Sequence, residues 1–495
     1  MGWHSGRKHG KKVQSVTQLA AKQSNRTRSL TDMLPVEITQ VIFRHYTHDD
    51  DRKSSPWNLG AICRAWRSIA WADPHIWTHP NFYFEGFVRR RQDTRIQLAK
   101  EWIQRSANLP LSITLHALMV FHDVYGTIAQ LRGLIDLVNE NSYRWFSLDL
   151  TLPSKLLAFV DSSSCTSSIL HELSISTVME DVASVRSLFQ VKPKIVRLFR
   201  THLNPLSLNW TNVTSVSAFP LAADDVLHIL QNAPGLCECA FPSITSAIGA
   251  TITEGHTDYV VHTMVESLQV SFDSPGCEEF LLRNVTLPGL KHLVIGIEET
   301  ERRTAGHLST FIIRSHADLE SFTVRAPSSE DIIRLAALMP NLQALQLLID
   351  SPGSDDQLHD FYDSLSRHLK GDETPVESEV DSSSAQPLLP ILKTFSWSGN
   401  GSFPWGAILD LLCPLSQSDD GHRRPLESVE VFFHSFPRKT GLPYVDEEVI
   451  SRLVAFSESV KFNFTVWDSG KKDLYQLSVD RMKGNADGGQ ERSIS

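Results

Sequence analysis

Between about residues 140 and 470 one short apolar pattern keeps returning. A unit that short buries its apolar side chains by stacking on its neighbour, so the pattern constrains the fold more than any other stretch. The unit is apolar-x-x-apolar-x-apolar, often preceded by Pro. It occurs as Trp145/Leu148/Leu150, Leu170/Leu173/Ile175, Leu236/Cys239/Phe241, Val265/Leu268/Val270 and Leu290/Leu293/Ile295. It continues as Leu319/Phe322/Val324, Leu342/Leu345/Leu347, Leu392/Phe395/Trp397 and Leu426/Val429/Val431. Poorer copies stand at Ile195/Leu198, Val213/Val216 and Phe462/Phe464, with Leu198, Val216 and Phe462 read as the central residues. Alternation of this kind predicts a short strand with one face buried.

Helical patterns fill the gaps: 222–232, 278–284, 308–316, 329–339, 405–412 and 447–456. Ser328 with Glu330-Asp331, and Asp446-Glu447-Glu448, put caps and acids where a helix begins. The expected fold is α/β, one strand and one helix per unit. The spacing clusters near the 20–29-residue period of leucine-rich repeats, which the domain resembles. It departs from that family in having no Asn ladder: Gly296, Arg325 and Leu348 follow the third apolar position. The expectation is therefore an irregular leucine-rich-repeat-like α/β solenoid over 140–470. The plainer alternative is an ordinary α/β domain whose strands look alike.

Ahead of the repeats, Met33 to Phe82 reads as a small all-α module. Leu34-Pro35 opens it, and Ile38, Val41, Ile42 and Tyr46 recur at helical spacing. The charged run from His48 to Ser55 is a loop ending at Pro56. One further helical face is expected through Leu59, Ile62, Cys63, Trp66 and Ile69, stopped by Asp73-Pro74. About fifty residues bury little core alone, yet these carry Trp57, Trp66, Trp71 and Trp77. Leu34-Pro35-Val36-Glu37, Cys63-Arg64-Ala65-Trp66-Arg67 and Pro74-His75-Ile76-Trp77 together resemble an F-box. The wording is closest to F-box proteins of mushroom-forming fungi, as is the following helix over 94–107 with its Leu109-Pro110-Leu111-Ser112 junction into a strand at 111–115.

The remaining boundaries follow composition. Residues 1–32 form a basic tail, with seven Lys or Arg and no acid through position 29; Lys8, Lys11 and Lys12 read as a solvated cluster or as a nuclear address. Residues 83–139 connect the module to the repeats. An acidic insert, 351–386, interrupts them, with a helix expected over 358–369 and a disordered stretch over 371–384. Residues 471–495 read as a frayed tail.

Composition excludes several classes of activity. A net charge of −10 and the lack of aromatics interleaved with a basic patch argue against nucleic-acid binding. No apolar run suits a membrane span and no secretory signal is legible. Six scattered Cys make no disulfide framework, and Cys237-Glu238-Cys239 lacks zinc-knuckle spacing, so Cys239 is read as core. No nucleophile elbow, phosphate loop or zinc-protease motif is present. No catalytic residue, cofactor or metal is therefore expected. The location expected is cytoplasmic, nuclear or both.

The resemblance implies a substrate-recognition subunit of an SCF-type (Skp–cullin–F-box) ubiquitin ligase. The F-box would dock a Skp-type adaptor, and through it a cullin–RING ligase, using Leu34, Pro35, Ile38, Ile42, Trp66 and Trp77. Some of these must also be the module's own core. An unknown protein substrate would meet the strand face opposite the apolar positions. There Ser321, Thr323 and Ser396 represent a small polar row, and Phe199, Phe219 and Phe432 are aromatic exceptions. Two alternatives remain: an F-box scaffold acting outside a ligase, and an enzyme of unrecognised type in the α/β region.

Overall fold

The computed structural model describes residues 34–48, 55–84, 92–117, 124–162, 169–177, 191–201, 208–246, 259–274, 276–296, 304–325, 328–349, 358–366, 387–400, 403–412, 415, 423–435, 444–459, 462–470 and 472–490. The basic tail and the 371–384 stretch lie outside them. The fold is mixed α/β and divides into two compact units, residues 1–151 and 152–495.

The first unit begins with α1 (Val36–His48), α2 (Pro56–Ile62) and α3 (Arg64–Ala72), followed by a 3-10 turn, Pro74–Trp77. The second helical face expected as one helix is two, because Cys63 is fully extended (φ −155°, ψ 170°) between them. Its Sγ accepts the Trp66 N–H at 3.4 Å and so caps α3. Asp73 closes α3, and its nearly buried carboxylate caps the 3-10 turn and pairs with Arg44 at 2.7 Å. Strand β1 (Asn81–Tyr83), α4 (Gln92–Arg105), β2 (Leu111–His116), α5 (Val124–Glu140) and β3 (Trp145–Leu152) complete the unit. β1 pairs β2 and β2 pairs β3, both in parallel.

The core of this unit is aromatic and ignores the boundary expected at residue 82. Trp77 is fully buried, donates its indole N–H to the Ala70 carbonyl at 2.8 Å, and stands edge-on to Trp57, Trp71 and Trp102 at 5.0, 5.2 and 6.0 Å. Arg105 lays its guanidinium over Trp71 and Trp77. Trp102 and Arg105 both come from α4, so the small helical module completes its core with the helix that follows it. Gly60 is required here, since a Cβ would sit 2.1 Å from the Trp71 ring.

In the second unit the strands follow one another through the sheet in chain order. They are β4 (Glu172–Thr177), β5 (Ile195–Phe199), β6 (Ser215–Phe219), β8 (Glu238–Thr245), β10 (Ser267–Phe272) and β12 (His292–Gly296), then β13 (Ser321–Arg325), β14 (Ala344–Ile349), β15 (Thr394–Asn400), β16 (Ser428–Ser435) and β17 (Asn463–Asp468). Every neighbouring pair is parallel. Short β7 (Leu221–Ala222) also pairs β8, and β9 (Val260–Val261) pairs β11 (Val285–Thr286) apart from the main sheet.

The central residues of the repeat pattern are Cα partners across the sheet. Cys239, Leu268, Leu293, Phe322, Leu345, Phe395 and Val429 form one continuous line, all buried. Two readings shift. Val196, not Leu198, pairs with Leu173 and Val216, and Phe464, not Phe462, pairs with Val429. Each slip is two residues, which preserves the face and so hides itself in a period-two pattern.

Helices fill the connections: α7 (Ala223–Asn232), α8 (Cys277–Asn284), α9 (Thr304–Ser315), α10 (Ser329–Ala337), α11 (His359–Ser366), α12 (Gly406–Leu412) and α13 (Glu447–Ser459), after the single turn α6 (Ser154–Leu157). Ser328 caps α10 by accepting the Asp331 N–H, as its position suggests. The final stretch is not a frayed end over its whole length: α14 (Leu474–Gln490) buries Leu474, and Ser478 accepts the Val445 N–H at 3.0 Å.

Candidate functional site

Helix α1 leaves most of its aliphatic residues in solvent and buries two threonines beside Phe43. Leu34, Ile38, Val41 and Ile42 recur at three- and four-residue intervals and share one stripe. They are 37%, 48%, 46% and 48% exposed, and Val36 in the first turn is 50% exposed. The inward stripe is Thr39, Phe43 and Thr47, all buried. Two threonines can face inward because each hydroxyl returns to its own helix: Thr39 to the Pro35 carbonyl and Thr47 to that of Phe43. Phe43 packs on Trp66 with ring centroids 4.8 Å apart.

Pro35 is exposed, and Trp66 is half-buried on Phe43. Of the six expected docking residues, Leu34, Pro35, Ile38 and Ile42 thus form a surface, and Trp66 supports it from behind. Trp77 is a correction. It is wholly interior, at the centre of the indole cluster, and offers no surface. Sequence periodicity put Ile62 on an inner face, yet it is 60% exposed. The extended Cys63 ends the helix directly after it, and that break has no apolar-pattern signal.

The second candidate surface is the strand face opposite the core. Ser321, Ala344, Thr394 and Ser428 are successive partners along one row, and Thr323, Gln346, Ser396 and Glu430 along the next. The expected alternation therefore holds, and the residues named from it do share a face. Thr323 is a partial correction: it is only 9% exposed, and its hydroxyl donates to Gln346 Oε1 at 3.3 Å. Ser321, Ser396 and Phe432 are half-buried. Phe432 stands edge-on to exposed His434, whose Nε2 lies 2.9 Å from Ser398 Oγ. Phe199 is 48% exposed and stacks on Phe219 at 5.3 Å. Sequence reading missed Trp467, which pairs with Phe432 and is 37% exposed. The two-residue slip at Phe462 concealed it, although Phe464/Val466 carries the correct frame.

Cys239 takes the core position its pattern predicts, and burial pushes its thiol up to about 12. Among the described residues no group of three or more His, Cys, Asp or Glu could hold a metal ion, and no helix is long and apolar enough to cross a membrane. No protein-family model matches the chain and no curated protein matches it.

Proposed function

We propose that the chain is the substrate-recognition subunit of an SCF-type ubiquitin ligase. In this reading residues 33–82 are an F-box whose outer stripe docks a Skp-type adaptor, and the second unit is an irregular leucine-rich-repeat-like solenoid that captures a protein substrate. The observation that carries the reading is the exposed aliphatic stripe of α1. Full burial of an Ile or Val side chain contributes about 1.5–3 kcal/mol, so four half-exposed ones beside Leu34 offer several kcal/mol to a partner that covers them. A helix that anchors itself through one phenylalanine and two self-satisfied threonines, and leaves an aliphatic stripe in water, offers that stripe to a partner. The chain supplies no chemistry of its own; bringing substrate and charged conjugating enzyme together raises their effective concentration.

The test is reconstitution of the full chain with purified Skp-type adaptor, cullin and RING subunits. The wild-type chain should co-elute with all of them. Replacing Leu34 and Pro35 by Ala should weaken adaptor binding by about 2 kcal/mol or more, since a few central anchors dominate an interface. Wild-type affinity in that variant sinks the docking assignment. Binding of adaptor without cullin would make the chain a scaffold outside the ligase.

A further inference from the structure

The outward face of the second unit is not uniform along its strands. Taken in register it forms three rows, and the first two are mostly small and polar. The third, at the strands' C-terminal ends, holds the large groups. Phe199 and Phe219 pair at one end, Phe432 and Trp467 at the other. Between them Ser271, Gly296, Arg325, Leu348 and Ser398 are successive partners, and only β8 leaves the register, its pairing with β6 ending at Ala240 and a bulge falling between Val270 and Phe272. Gly296 sits so close to its neighbour that a Cβ would meet Ser271 Oγ at 2.7 Å, which keeps the floor low.

We propose that this row binds one extended, acidic segment of a partner protein, lying across the strands and anchored by two bulky apolar side chains about ten residues apart. The proposal rests on the reading of this face as the substrate face and adds the substrate's form. Phe219 and Phe432 are seven strand steps apart. Strands lie about 4.8 Å apart, so the anchors are about 34 Å apart along the sheet, which an extended chain at about 3.3 Å per residue covers in about ten residues. Rows two residues apart along a strand are separated by about 6.6 Å. An extended chain fits that width; a helix, about 10–12 Å across, would override the second row.

Charge points to the sign of the segment. Arg325 is exposed within the row, and exposed Arg200 lies over the Phe199 ring at 5.9 Å. The described residues of the row include no carboxylate. Single-stranded nucleic acid, also anionic, wants a platform for successive bases, and the floor between the two aromatic pairs has none.

The experiment selects a random 16-residue display library on the full chain. Enriched peptides should carry two bulky apolar residues about ten apart with Asp or Glu between them. Phe199→Ala and Phe432→Ala should each lower affinity for an enriched peptide at least tenfold, as should Leu348→Glu, which sets a like charge in the row. Arg200→Glu with Arg325→Glu should turn the selection toward Lys and Arg. Failure to enrich, enrichment without a common spacing, variants that bind as wild type, or a row that instead binds a 15-residue oligothymidylate would each overturn the proposal. Adaptor binding is read in every sample. Its loss in the wild-type chain counts against the ligase reading alone, and its retention without peptide enrichment counts against this one alone.

Discussion

Two apolar residues of the same short module have opposite fates, and the difference predicts opposite phenotypes. Trp77 is fully buried with its N–H satisfied, so Trp77→Ala leaves a large cavity and an unpaired Ala70 carbonyl. The expected cost is about 3–5 kcal/mol, read as lost amide-exchange protection in α1 to α4 and the Pro74–Trp77 turn. Trp66→Ala should cost clearly less, because Trp66 is only half-buried; equal losses would contradict the packing. Ile38→Asp with Ile42→Asp touches side chains that are each 48% exposed. It should abolish adaptor binding and leave that exchange pattern unchanged. A third residue-scale outcome concerns Cys239. A thiol pushed up to about 12 is protonated at pH 8, and the thiolate is the nucleophile. Iodoacetamide at pH 8 should therefore leave Cys239 unmodified in the native chain and alkylate it after denaturation, as read by peptide mass.

At the scale of elements, α11 and its surroundings separate packed structure from insert. Phe361, Tyr362 and Leu365 are buried on one face of this two-turn helix, inside a stretch whose composition is largely polar. Phe361→Ala should cost about 3–5 kcal/mol, whereas deleting 371–384 should leave the melting temperature nearly unchanged, since loop length enters closure entropy only logarithmically. A large loss on deletion would show that this segment packs. The strands and helices of the second unit were legible because one buried face imposes strict alternation, and helix boundaries fell within a few residues of their caps. The slips at Leu198 and Phe462 arose where both candidate frames put apolar residues on the same face. The break at Cys63 was illegible for a different reason. A cysteine sulfur acting as a helix cap looks, in sequence, like one more apolar residue. The role of α4 in the indole cluster was hidden as well, because no local pattern announces which Trp residues share a core.

At the scale of the whole chain, the two candidate surfaces belong to different compact units, so their losses should be separable. Mutations in separate compact units with no shared partners act independently. Ile38→Asp with Ile42→Asp should lose adaptor and keep substrate capture, while Phe199→Ala with Phe432→Ala should lose substrate capture and keep adaptor. Either variant alone should remove substrate ubiquitylation in a reconstituted ligase, because tethering works only when both sites are engaged at once. The decisive sample is an equimolar mixture of the two variants. Each then carries one intact surface, but no single chain carries both. If the protein acts as a tether, the mixture stays inactive although every binding activity is present in the tube. Recovery of ubiquitylation to the wild-type rate in that mixture would mean that adaptor and substrate need not share one chain, and the tethering account would fail.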